Sequence, residues 1–215
     1  MFGMIIKGLW ETLYMTLFST FLAYLFGMLI GIVLVVTDKG GLFPVAALNK
    51  TLGLIVNLAR SVPFLILLIA ILPFTRLVVG TTIGPTAMVV PLVVASTPFI
   101  ARLVESSLKE VDSGVIEAAS SMGASPLQII YKVLLPEARP SLILGAAIST
   151  ITILSYSAMA GIVGGRGLGD LAIRYGYYRY QSDIMLITVA ILVIIVQILQ
   201  EVGARLARFL DKRLK

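Results

Sequence analysis

Cysteine and histidine are both missing from the 215 residues. Without thiols there is no disulfide framework and no thiolate nucleophile, and without imidazole the usual general base and a common metal ligand are gone too. No catalytic or metal-binding residue is therefore expected. Charge is scarce as well: 13% of residues are Asp, Glu, Lys or Arg against 59% hydrophobic, and the mean hydropathy is +1.03. A soluble domain carries about 25% charged residues, so the chain reads as an all-α integral membrane protein. Its net charge of +6 is what basic loops at a cytoplasmic membrane face produce, and no nucleic acid partner is inferred.

A bilayer core of ~30 Å requires ~20 helical residues. Five sparsely charged stretches meet that length: residues 12–37, 51–75, 77–101, 140–165 and 183–204. The first follows Lys7 but runs uncharged to Asp38 without an Ala-x-Ala site, so it reads as a span and not as a cleaved signal. The second contains Arg60, and a central Arg costs ~2.5 to 3.5 kcal/mol on insertion scales. Arg60 is expected to face the bundle or its rim. Ala23, Gly27 and Gly31 form a small-xxx-small ridge that permits close helix packing. No repeat or linker divides residues 1–215, which read as one membrane domain.

Five spans put the termini on opposite sides. With the C-terminus inside, Lys39, Lys50, Arg60, Arg102, Lys109, Lys132, Arg139, Arg205, Arg208, Lys212, Arg213 and Lys215 are cytoplasmic, and only Lys7, Arg76, Arg166, Arg174 and Arg179 are external. The N-terminus is therefore expected outside and the C-terminus in the cytoplasm.

Residues 102–139 hold nine charges in 38 positions and cannot cross a membrane. Within the segment 112–136, residues 115–122 predict a short helix stopped by Gly123, which tolerates the left-handed conformation beyond a helix end. A second helix follows, with Ser125 as N-cap, Pro126 at the first position and Gln128 at capping-box spacing, and Pro136 is expected to stop it. Ala118, Ala119 and Gly123 would let a partner's backbone approach beside Glu117. A hairpin lying flat on the membrane surface is the plainer reading of such a loop.

Glu117-Ala118-Ala119, Gly123 and Val133-Leu134-Leu135-Pro136 resemble the EAA motif of ABC importer permeases, E-A-A-x3-G-x9-I-x-L-P, with Val133 in place of Ile. The resemblance implies coupling helices in which Glu117, Ala118, Ala119, Gly123, Leu135 and Pro136 dock a separate ABC ATPase, present in two copies. No G-x-x-x-x-G-K-[ST] phosphate loop occurs in the chain, so ATP and Mg would be bound by that partner and no cofactor by this chain. The likeness covers nearly the whole chain and is greatest to methionine-importer permeases, through Gly8-Leu9-Trp10-Glu11-Thr12-Leu13, Arg60-Ser61-Val62-Pro63-Phe64, Pro98-Phe99-Ile100-Ala101-Arg102 and Tyr156-Ser157-Ala158-Met159-Ala160-Gly161. It implies a type I importer permease of the bacterial inner membrane, a homodimer, served by a periplasmic or lipid-anchored substrate-binding protein.

In the fourth span Ser149, Thr152, Tyr156 and Met159 share a helical face. Tyr156 and Met159 suit a gate for a thioether or apolar side chain, or simply pack on the next helix. Ser61 and Pro63 are assigned to the same path by the resemblance. After the span, the resemblance implies that Arg166, Gly167 and Arg174 face the binding protein, with solvated turn charges as the equal alternative. Gly167-Leu168-Gly169-Asp170 matches the G-x-G-D of intramembrane aspartyl proteases, but that chemistry needs two facing carboxylates and no second Asp lies inside a span. An ion-coupled carrier would need ionisable groups near the midplane, where acids are essentially absent here. A permease for another amino acid remains the alternative substrate reading, and a purely structural subunit would leave the EAA string idle.

Overall fold

The structure, a computed structural model, describes residues 1–210; Lys212, Arg213 and Lys215 of the charge count lie outside the described residues. Eleven labelled helices make up the fold: α1 (Phe2–Val36), α2 (Ala46–Ser61), α3 (Phe64–Ala70), α4 (Leu72–Val79), α5 (Pro85–Lys109), α6 (Ser113–Ser121), α7 (Pro126–Ile129), α8 (Leu135–Glu137), α9 (Arg139–Ala160), α10 (Gly167–Leu171) and α11 (Ser182–Leu210). No strand forms among the described residues. Four continuous segments, α1, α5, Arg139–Val163 and α11, are long and apolar enough to cross a bilayer, and a fifth candidate is the α2–α3 pair, bent by 99°.

The α1–α5 pair is the spine. A Cβ on Gly27 would lie 2.6 Å from Ile100 Cγ2, and one on Gly31 would lie 2.7 Å from Val104 Cβ. The small-residue ridge therefore sets how near the two backbones come, as helix contacts in lipid require. Met15, Met88, Leu92, Ile100, Val104 and Ile153 fill the core between α1, α5 and α9. The last helix packs on α9 with Gly203 against Ala147 and turns Leu186, Val193, Ile194 and Ile198 outward, an apolar face that lipid solvates without cost.

Two span expectations need correcting. Residues 77–101 do not form a span: Leu77 to Val79 end α4, Gly80 closes it at φ 81°, and the spanning helix starts at Pro85 after Gly84 at φ 99°. It then runs eight residues further, to Lys109, because Arg102, Glu105 and Lys109 pair along it. Residues 51–75 are likewise not one helix. Pro63 offers no N–H and pushes Val62 into an extended conformation (φ −82°, ψ 123°), which ends α2. Apolar composition runs unbroken through both turns, so hydropathy alone does not register them. The other spans differ only at their ends, α1 most, since it begins at Phe2 and includes Lys7 and Glu11.

Near one end of the bundle Glu11 and Thr12 of α1 meet the first residues of α10, and near the other Leu210 and Arg208 border a recess of about 370 Å³ with Glu137 and Arg139. The N-terminus and residue 210 therefore sit at opposite ends.

Candidate functional site

Three places on this frame carry the sequence motifs. The first is a knob between α5 and α9. Asp112 caps α6 by accepting from Gly114 N–H at 2.6 Å. Gly123 takes φ 78° just beyond that helix, where a residue with a Cβ would be strained. Ser125 and Gln128 form the expected capping box, each side chain bonded to the other's backbone N–H, with Pro126 at the first helical position. Pro136, however, does not stop the second helix. The backbone widens into a π-helical turn over Ile130–Leu134, Pro136 is the second residue of α8, and the chain passes into α9 after Ala138. The wide turn absorbs the missing Pro donor, as π-bulges do.

Side chains in the knob sort sharply. Ala119, Ile129 and Leu134 are buried, and Val133 and Leu135 pack on the same core, so these side chains support the knob from within. Glu117, Ala118 and Gly123 are exposed, and Pro136 is half-buried. Beside them Met122 is 82%, Leu127 74% and Tyr131 76% exposed. Such a cluster of large apolar side chains on a polar segment marks an interaction surface. Sequence reasoning missed these three, because apolar residues in an amphipathic helix are ordinarily assigned to the buried side.

The second place is the break in α2–α3. Phe64, the first residue of α3, stacks on Tyr156 of α9 with ring centroids 4.3 Å apart and planes 4° from parallel. Ser61 and Pro63 are exposed at the bend, and the Ser61 hydroxyl donates to Asn57 O at 2.9 Å. Met159 is 46% exposed one turn beyond Tyr156. Ser149, on the same face, is buried and donates to Gly145 O at 2.7 Å, and Thr152 donates to Ile148 O. The stack thus brings Tyr156 to the residue that follows Pro63, while Ser61 and Ser149 each bond within their own helix.

Between knob and break runs a polar chain. Asp38, after α1, pairs with Lys109 at 2.7 Å, Lys109 pairs with Glu105 at 3.0 Å, and Glu105 pairs with Arg102. Arg102 then donates to Gly53 O of α2 at 3.0 Å. The bond from Lys109, aided by the Lys39 backbone N–H, holds the Asp38 carboxyl below its ordinary pKa. This chain joins α1, α5 and α2 at the knob end. The Tyr24 hydroxyl ties α1 to α9 by donating to Leu142 O at 2.6 Å, and Ser141 ties α9 to α5 by donating to Ser107 at 2.9 Å.

The third place is the loop from Gly161 to Gln181. Glu11 accepts from Gly167 N–H at 3.1 Å and lies 3.9 Å from Arg166. Thr12 Oγ1 accepts from Leu168 N–H at 2.8 Å. Gly167 is buried at φ 80°, where a Cβ would lie 2.6 Å from Thr12 Oγ1. It is therefore a docking point of the loop on α1 and offers no surface to a partner. Arg174 makes a two-pronged pair with the buried Asp170, which raises the Arg174 pKa further, and Arg179 lies over the Tyr175 ring at 4.6 Å. Arg166 and Arg174 remain half exposed but already have partners in their own chain. Asp170 faces a guanidinium and not a second carboxylate, which is unlike an aspartyl protease dyad.

Over residues 1–215 the chain matches the family described as binding-protein-dependent transport system inner membrane component. The probable D-methionine transport system permease protein MetI of Vibrio cholerae is 51% identical over 210 residues, 98% of this chain and 93% of the relative. The methionine import system permease protein MetP of Bacillus subtilis is 46% identical over 180 residues, 84% and 81% of the two chains. Among solved structures, an inward-facing conformation of the MetNI methionine ABC transporter superposes with a TM-score of 0.97 at 46% identity, covering 99% of this chain and 98% of that one. An exposed EAA knob, an all-helical bundle with a broken span, and similarity along the full length converge: the chain belongs to the inner-membrane component family of binding-protein-dependent transport systems and is a transport subunit, not an enzyme.

Proposed function

We propose that this chain is the permease of an ATP-driven methionine importer and works as a homodimer with its path at the two-fold interface. The observation that carries the reading is the knob, where Met122, Leu127 and Tyr131 stand exposed beside Glu117, Ala118 and Gly123. Such a surface is completed by a protein partner, here an ABC ATPase, one per permease copy, which binds the ATP and Mg. The knob side is cytoplasmic and the N-terminus external, in keeping with the excess of Lys and Arg at the knob end. The loop from Gly161 to Gln181 then faces the substrate-binding protein with the exposed edges of Arg166 and Arg174.

Closure of the ATPases moves the knob, which is joined to α5 on one side and to α9 on the other. The polar chain through Arg102 carries the same motion to α2. The Phe64–Tyr156 stack, flanked by Met159, Ser61 and Pro63, is the gate that opens and closes. Methionine as cargo is supported by the relatives in Vibrio cholerae and Bacillus subtilis, whose names specify it.

Radiolabelled methionine uptake into proteoliposomes holding the permease, its ATPase and the binding protein tests the reading. ATP-dependent accumulation of methionine above other amino acids is expected. Preference for a different amino acid overturns the substrate assignment, and uptake independent of the ATPase overturns the transport class.

A further inference from the structure

We propose that Arg60 is the residue of the translocation path that holds the carboxylate of a transported amino acid, while the uncapped carbonyls ending α2 receive its ammonium group. This rests on the amino-acid import reading above and adds the groups that recognise the cargo inside the membrane.

Arg60 lies in the last turn of α2, exposed, with no hydrogen bond or ion pair among the described residues. Arg102, Lys109, Arg205 and Arg208, carried within the long helices α5 and α11, each have an acidic partner. Ten residues of helix separate Arg60 from Lys50, ~15 Å at 1.5 Å per residue, so with Lys50 at the interface Arg60 lies about half the hydrocarbon thickness away, inside the membrane and not among the cytoplasmic charges counted from the sequence. An unpaired guanidinium at that depth is not a lipid-facing group, because the insertion cost is ~2.5 to 3.5 kcal/mol. It faces water or protein.

The backbone beside it leads to the same conclusion independently. Val62 is extended and no later N–H folds back onto the carbonyls of the last α2 turn, whereas α4 is closed by Gly80 N–H donating to Arg76 O at 2.8 Å. Irregular backbone at membrane depth persists only inside protein or along an aqueous cavity, and Ser61, Val62 and Pro63 are not covered by their own chain. The bend therefore offers a guanidinium, suited to a planar carboxylate, next to a helix C-terminus, whose partial negative charge suits an ammonium. A zwitterionic α-amino acid presents both groups about one residue's width apart. The absence of a fixed counter-ion for Arg60 suits a transient site, since an Arg already paired would have to break that pair at each passage.

The lack of cysteine in this chain makes Arg60→Cys a clean test in the reconstituted complex, with the thiol-treated unsubstituted complex as background. Uptake is expected to fall at least tenfold. Modification with methanethiosulfonate ethylammonium, which restores a cation, should recover at least a third of the rate, while the ethylsulfonate adduct recovers none; Arg60→Lys should keep more uptake than Arg60→Gln. Unchanged uptake in Arg60→Cys, or equal behaviour of the two adducts, overturns the assignment. Absence of amino-acid uptake by the unsubstituted complex refutes the import reading as well, so the two failures are distinguishable.

Discussion

The two segments that flank α9 are built on opposite plans. The knob before it buries Ala119, Ile129 and Leu134 but leaves Met122, Leu127 and Tyr131 uncovered; the loop after it buries Gly167, Leu168 and Asp170 and satisfies its polar groups with Glu11, Thr12 and Arg174. One surface is completed from outside the chain and the other from within. A mutation in the knob should therefore damage association and spare the fold, whereas one in the loop should damage the fold and spare association.

The sharpest break of that contrast is Met122→Asp combined with Leu127→Asp. Each side chain would bury ~1.5 to 3 kcal/mol of transfer free energy in a docked partner, so copurification of the ATPase and uptake should fall about 100-fold while helix content and the thermal midpoint of the isolated permease stay put. A matching loss of thermal stability would mean that the patch serves the fold after all. In the loop, Thr12→Val removes the acceptor for the buried Leu168 N–H, at a cost of about 1 to 3 kcal/mol. Thermal unfolding in detergent should register that loss with ATPase binding unchanged, and an unaltered midpoint would show that the loop is not held by α1.

The smallest expected effect concerns the rim of the knob end. Asp38 and Lys109 are both partly exposed, so Asp38→Asn should cost no more than about 1 kcal/mol. The Asp38 pKa is lowered in the folded chain; its contribution is complete above the ordinary Asp value of about 3.9 and fades only as pH falls through the lowered folded value. Stability from pH 5 to 8 should therefore be flat for this pair, and a transition near neutrality that vanishes in Asp38→Asn would contradict the geometry.

Legibility in the sequence followed the range of the interaction. Gly123, Ser125, Pro126 and Gln128 act within one helical turn, and the structure forms the expected cap and box. The break at Val62–Pro63 and the turn at Gly80 to Pro85 were hidden, because window-averaged hydropathy is blind to turns made of apolar residues and glycine. Pro136 misled for a related reason: local rules make it a stop, but the π-helical turn ahead of it removes the need for its N–H. Glu11 and Thr12 read as the edge of a span, and only contacts 156 residues away turn them into the anchor of the outer loop.

The Tyr24 hydroxyl on Leu142 O makes α9 a lever with a fulcrum near its base. Fourteen residues separate Leu142 from Tyr156, an arm of ~21 Å, so a tilt of about 5° at the knob displaces the Tyr156 ring by about 2 Å. That is a large part of the 4.3 Å between the stacked rings. Any tilt of α9 about that bond is therefore magnified at the Phe64–Tyr156 pair, and the mechanical gain resides in where one phenol grips one carbonyl.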